Sequence, residues 1–340
     1  MQNSYIKQIK TLNSRVKVDG TFISLFVPLR STEIPVEKIF LSLVKGANGL
    51  LIKNNRPPCT IAIPNWNHFT KQGALSLAIY HHDGVTTFIP MPIKMEPRFI
   101  VADSFHIKPL IAASNESVHS LLLHVNEQGV SLFKVGLTHD YVIDSYLPPL
   151  ATINKAWIDE LEKEDLDDFI DFLLHEIKIA INDETFSIGF SGVDKTPFEN
   201  MKHWTKIDLP KIKLNESFAS LSPENALSSL RMSLKEKVNN SYLSKIKKFK
   251  EQEEIELKDL GTLIMGGEIN HLCVSLDDLH FGEIDNKTGL ATVNRAQQNI
   301  NDDDVLDDLV EMALKKGIKV SVVPKKYLPQ GRSYLVSSIN

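Results

Sequence analysis

The run Thr21-Phe22-Ile23-Ser24-Leu25-Phe26-Val27-Pro28 is dominated by β-branched and aromatic side chains and is closed by a proline. Such a run reads as a buried strand. A helical stripe follows: between Ile34 and Leu50, apolar positions Val36, Ile39, Phe40, Leu43 and Val44 recur at helical spacing, and Gly46 and Gly49 mark the expected stop. Strand-like runs and helical stripes keep alternating along the rest of the chain. That alternation sets the fold class as α/β, with mixed sheets.

Strand-like runs occupy Ala74–Tyr80, Val85–Ile89, Leu121–Val125 and Val130–Val135. The turns His81-His82-Asp83-Gly84 and Asn126-Glu127-Gln128-Gly129 make each pair a hairpin. Phe105–Ile111 reads as a helix start, with Pro109 in its first turn, and Leu147-Pro148-Pro149 is a stiff boundary. Beyond it, Leu161, Phe169, Ile170, Leu173, Leu174 and Ile177 mark an acidic helix, and Thr185–Phe190 and Leu209–Leu214 read as strands. Pro223–Phe249 carries an apolar residue every three or four positions and reads as one long helix.

The last segment has a helix ending at Met265-Gly266-Gly267, a strand Ile269–Leu276 and an apolar stretch Phe281–Ile284. Asn301-Asp302-Asp303-Asp304 is expected to cap a helix that Gly317 ends before the strand Ile318–Pro324. This is an αβ…αβ pattern with parallel pairing expected through crossovers. A chain of 340 residues exceeds one ordinary core. The expected division is 1–150, a middle α/β domain 151–252, and a C-terminal domain 253–340.

The net charge of −5 supplies no whole-protein basic field, so any nucleic-acid contact must come from a local patch. Cys59 and Cys273 form no zinc-ligand spacing and read as buried thiols of a reducing compartment. Met1–Tyr5 lacks the basic and apolar regions of a signal peptide, and no apolar stretch is long enough to span a bilayer. A cytoplasmic protein without a membrane partner is expected, and no DNA partner.

The order of these elements resembles the class-1 release factors of archaea and eukaryotes and their paralogue Pelota, and more closely their bacterial and archaeal relatives known as baeRF proteins. The strand Phe22–Pro28, the run Ala102-Asp103-Ser104-Phe105-His106-Ile107-Lys108-Pro109-Leu110, the hairpin Leu121–Val135, the joint Gly266–Val274 and the ending Gly331–Ile339 carry the likeness. It covers nearly the whole chain, least well in the middle. It implies three small α/β domains in the release-factor arrangement, and a ribosome-associated translation factor whose partners are ribosomal RNA and a translational GTPase. Release factors hold a Gly-Gly-Gln loop between the first two domains. The junction here, Leu147–Asn154, contains neither Gly nor Gln, and Gly266-Gly267-Glu268 lies in the last segment. No Asn-Ile-Lys-Ser motif occurs in the first segment. The expected role is therefore non-catalytic: rescue or hibernation of ribosomes by occupying the A site. The alternatives are a protein- or RNA-binding module that has left the ribosome and, ranked last, a hydrolase with a site assembled across domains.

The candidate RNA- or partner-binding residues are His106, Lys108, Lys237, Lys245, Lys247 and Lys248. His106 lies beside apolar neighbours, where a histidine more often serves the core. The lysines stud a long helix together with Lys235 and Lys250, but Glu236, Glu251, Glu253 and Glu254 dilute the patch. His81-His82-Asp83 has two ligand types but no third ligand, and reads as a polar turn. Asp302–Asp304 with Asp307 and Asp308 reads as capping rather than Mg²⁺ binding. Ser191 lacks a Gly-x-Ser-x-Gly elbow, and no Walker loop or GxGxxG is present. No catalytic residue, metal or cofactor is assigned.

Overall fold

A computed structural model describes residues 2–13, 21–30, 33–71, 74–116, 120–126, 129–137, 140–142, 187–191, 213–218, 221–249, 255–294, 297, 299–300 and 302–338. Among them the chain is α/β. Met1–Glu116 with Asn240–Asn340 forms one compact unit, and Ser117–Asn239 a second. The boundaries expected near 150 and 252 lie outside the described residues, as do the acidic helix at 155–177, the junction 147–154 and Lys250.

In the first unit, helix α1 is Gln2–Asn13, strand β1 Phe22–Pro28, helix α2 Val36–Lys53 and helix α3 Trp66–Lys71. Strands β2 (Ser76–His82), β3 (Val85–Met91) and β4 (Arg98–Ala102) precede helix α4, Lys108–Glu116. The four strands form an antiparallel sheet in the order β3-β2-β1-β4. β1 is buried along its whole length, as the sequence requires. Its side chains alternate: Ile23, Leu25 and Val27 join Ile39, Phe40, Leu43, Ala47 and Leu51 of α2 in one core. Phe22 and Phe26 belong to a second core with Phe105, Leu110, Leu260, Leu272, Leu306 and Leu309. Residues near both ends of the chain thus share one apolar core.

The rest of this unit is α6 (Leu257–Gly266), β10 (Ile269–Ser275), β11 (Phe281–Ile284), β12 (Ala291–Val293), β13 (Asp303–Asp304), α7 (Val305–Lys315), β14 (Lys319–Val323) and β15 (Tyr334–Ser338). β10 pairs parallel with β14 and antiparallel with β15, and β11 sits between β12 and β13. Helix α5, Pro223–Ile246, runs along the chain from the second unit into the first. The second unit holds a five-stranded sheet in the order β7-β6-β5-β8-β9. Its strands are Ser120–Asn126 (β5), Gly129–Val135 (β6), Asp140–Val142 (β7), Ser187–Ser191 (β8) and Lys213–Phe218 (β9).

Two local expectations change. α2 does not stop at Gly46 or Gly49 but continues to Lys53. Gly46 is a packing glycine, since a Cβ there would stand 2.5 Å from the Phe99 ring. The first hairpin turns on Asp83 and Gly84, both at positive φ (49° and 74°), so His81 and His82 are strand residues.

Gly282 in β11 has no room for a side chain: a Cβ would lie 1.8 Å from the Thr292 carbonyl oxygen. Gly282→Ala is expected to destabilise the protein by ~1–3 kcal/mol. Gly49→Ala, on the exposed side of α2 with nothing within 4 Å, is expected to stabilise it by about 0.5–1 kcal/mol. Urea denaturation of the two variants checks both signs.

Candidate functional site

His106 and Lys108 belong to the first unit. Neither has any exposed surface. Lys108 Nζ donates to Asp304 Oδ2 at 2.5 Å and to the Asp278 carbonyl at 2.8 Å. The first turn of α7 also caps α4. Asp307 Oδ2 accepts from Ile107 N–H at 3.0 Å, and Asp307 Oδ1 from Lys108 N–H at 2.6 Å. Asp304 is the N-cap of α7, taking Leu306 N–H and also His280 N–H on Oδ1. Within the acidic run, capping is therefore the role of Asp304 on its own helix and of Asp307 on a second one.

His106 is anchored by its backbone, with N–H donating to Ser24 Oγ (3.0 Å) and C=O accepting from Tyr80 O–H (3.1 Å). Its ring packs edge-on against Phe26, and neither ring nitrogen has a hydrogen-bond partner. Burial first, then the charges of Lys108 and Arg98, push its pKa well below the ordinary histidine value. The ring is therefore neutral, and its 3.5 Å approach to Asp307 is not an ion pair. Burial followed by Glu311 and Asp304 pushes the Asp307 carboxyl up, against the pull of Lys108 and the Lys108 N–H.

A surface basic cluster forms elsewhere in this unit. Lys245 is half-buried in the last turn of α5, Lys247 and Lys248 sit exposed in the turn after it, and Lys319 opens β14 opposite His271. His271 is buried, bonds Ser321 Oγ at 2.9 Å and packs on the Phe249 ring at 4.6 Å. Burial and then Lys319, Lys248 and Lys245 lower its pKa to about 4. Three cations thus converge on one neutral imidazole. Lys237 is exposed on α5 within the second unit. Lys319 was missed from sequence, because its neighbourhood is made by the pairing of β14 with β10, which puts it opposite His271, and has no local signal.

Other candidates find structural roles. His81 bonds Thr86 Oγ1 at 2.8 Å, while His82 stacks on Phe22 at 3.9 Å. Gly267, at φ 72°, closes α6 in the left-handed region. Burial pushes the Cys273 thiol up to about 12 and raises Cys59, so neither resembles an activated nucleophile. The side chain of Ser191 lies outside the described residues.

No protein-family model matches the sequence, and no curated protein does. Among solved structures, an archaeal translation termination factor, aRF1, is 12% identical over 99% of this chain and 97% of its own, with a TM-score of 0.24. Ribosome-bound archaeal Pelota, in a structure with ABCE1, is 11% identical over 100% and 94%, with a TM-score of 0.35. A translation termination-like factor of S. cerevisiae involved in RNA quality control is 13% identical over 75% and 72%, with a TM-score of 0.37. Superpositions this loose carry no argument about role, and the fold class rests on this chain's own sheets and helices.

Lys108→Met leaves Asp304 buried without its ammonium partner and is expected to cost roughly 3–5 kcal/mol in urea denaturation. His271 gives a pH signature. The unfolded chain binds its proton near pH 6.5, the folded one only near 4. Its contribution is complete above 6.5 and is lost as pH falls from 6.5 towards 4, at a slope of at most about 1.4 kcal/mol per pH unit. NMR titration of Lys319→Gln is expected to show the His271 pKa rising towards 6.5, because one repelling charge is gone.

Proposed function

We propose that this chain is a ribosome-associated factor of the release-factor kind that acts by occupancy, without breaking a bond. The observation that carries the reading is the cluster of Lys245, Lys248 and Lys319 around His271. Converging lysines are what phosphate oxygens of a folded RNA require, and such contacts position a protein without reading sequence. Lys247 adds an exposed cation beside the cluster, and Lys237 is exposed on the second unit. Two sequence features bear on the chemistry. The resemblance to release factors and Pelota spans nearly the whole chain, and the junction at Leu147–Asn154 holds no Gly-Gly-Gln. The proposed mechanism is steric: the protein fills the A site of a stalled or idle ribosome and recruits a translational GTPase. A cytoplasmic location goes with this reading. Among the described residues no helix is long and apolar enough to cross a membrane.

A second reading, a binding module that has left the ribosome, is favoured by the net charge of −5. Sedimentation separates the two. The tagged chain is expected to travel with 70S particles in extracts of starved cells and to leave them after RNase. In purified ribosome binding, Lys245→Gln, Lys248→Gln and Lys319→Gln together are expected to flatten the log–log salt dependence by roughly 0.7–0.9 per lost phosphate contact. Wild-type protein that stays at the top of the gradient in growing and starved cells alike would overturn the ribosome reading in favour of the module.

A further inference from the structure

Helix capping accounts for Asp304, and the bridge to α4 accounts for Asp307. It does not account for Asp303. That residue is 1% exposed. Its Oδ1 accepts the Asp304 N–H at 2.6 Å, and its Oδ2 is buried with no hydrogen-bond partner. A carboxylate oxygen withdrawn from water without a donor is costly, so a native protein that keeps one needs a reason for it.

The neighbours supply one. Asp103, exposed just after β4, and Asp308, half-buried in the first turn of α7, each bring a carboxylate oxygen to the same place as Asp303. The three oxygens lie within 4.8 Å of one another. Hard divalent cations hold oxygen ligands at about 2.0–2.6 Å, so two ligands on opposite sides of one ion stand roughly 4–5 Å apart. Asp103 and Asp308 also line an open cavity of about 410 Å³ with Glu283, Asn286 and Glu311, and Lys315 reaches Glu311 at its edge. The cavity has room for water. An ion there would have a shell of carboxylates on the protein side and water on the other, the arrangement magnesium-type ions favour.

We propose that Asp103, Asp303 and Asp308 bind one hard divalent cation of the Mg²⁺ or Mn²⁺ class, with Asp303 Oδ2 as its buried ligand. The ion would join the end of β4 to the start of α7, two segments about two hundred residues apart in sequence. The donor set contains oxygen only, which selects against zinc and copper. Burial first, then repulsion by Asp308 and Asp307, holds the Asp303 carboxyl well above the ordinary carboxylate range. This site is independent of the ribosome reading.

The test is Mn²⁺ titration of the full-length chain, freed of metal, followed by electron paramagnetic resonance, with a parallel thermal melt. One bound Mn²⁺ per chain is expected, displaced by Mg²⁺ and accompanied by a rise in Tm. Asp103→Asn and Asp308→Asn are expected to weaken binding at least about tenfold, since affinity follows the charge count of the ligands. Asp103 is exposed, so its variant keeps the test open even if Asp303→Asn does not fold. The absence of bound Mn²⁺ at millimolar concentration would overturn the proposal, as would wild-type affinity in both Asp103→Asn and Asp308→Asn.

Discussion

The structure of the first unit depends on one carboxylate. Asp307 sits in the first turn of α7, yet its two oxygens take the backbone N–H groups of Ile107 and Lys108 where α4 begins. Two helix starts therefore share one acid, and the partial positive charge at each favours it there. Lys108 closes the arrangement by reaching back to Asp304, the N-cap of α7. Each group meets a need of the opposite segment, so neither helix start can be moved without leaving a buried donor or charge unmet. The shared apolar core supplies the bulk of the attraction between the segments, and these polar bonds fix their register.

Much of the local structure was legible. β1 reads as buried because it offers no polar face, and the structure covers both of its sides. The turn at Asp83-Gly84, the stop at Gly267 and the cap at Asp304 follow from residues whose backbone or side-chain chemistry is specific to those positions. Gly46 misled because a helix glycine signals a stop only when nothing packs against it, and here the Phe99 ring does. The hairpin β5–β6 was visible in its own turn. Its parallel pairing with β8 was not, because that contact joins Leu121 to Ile188 with no local pattern to announce it. The same reason hid Lys319 from the basic cluster and Asp103 from the acidic one.

His106 and Lys108 show why a family-like motif is weak guidance to a binding surface. Both come from the stretch on which the sequence resemblance rests, and both are fully buried, with Lys108 serving Asp304 and the His106 backbone held between Ser24 and Tyr80. A lysine is seldom buried without a carboxylate partner. The approach of Asp304 therefore makes Lys108 part of the framework, and the motif marks a joint in the fold. The exposed lysines of the basic cluster follow α5 and open β14, in sequence that carries no signature.

The opposite charges of the unit are also segregated by chemistry. The lysines converge on His271, a group that can shed its proton and so does not add to their repulsion. The aspartates converge on Asp303, which has no such neutral partner for its second oxygen. The exposed members of the basic cluster, Lys248 and Lys319, both repel the half-buried Lys245. The acidic cluster keeps one oxygen of Asp303 unmet, which a proton or a cation can complete. A proton would satisfy Asp303 alone, whereas an ion would also explain why Asp103, from the end of β4, comes within reach of α7. The convergence of carboxylates from two distant chain segments on one point thus favours the ion.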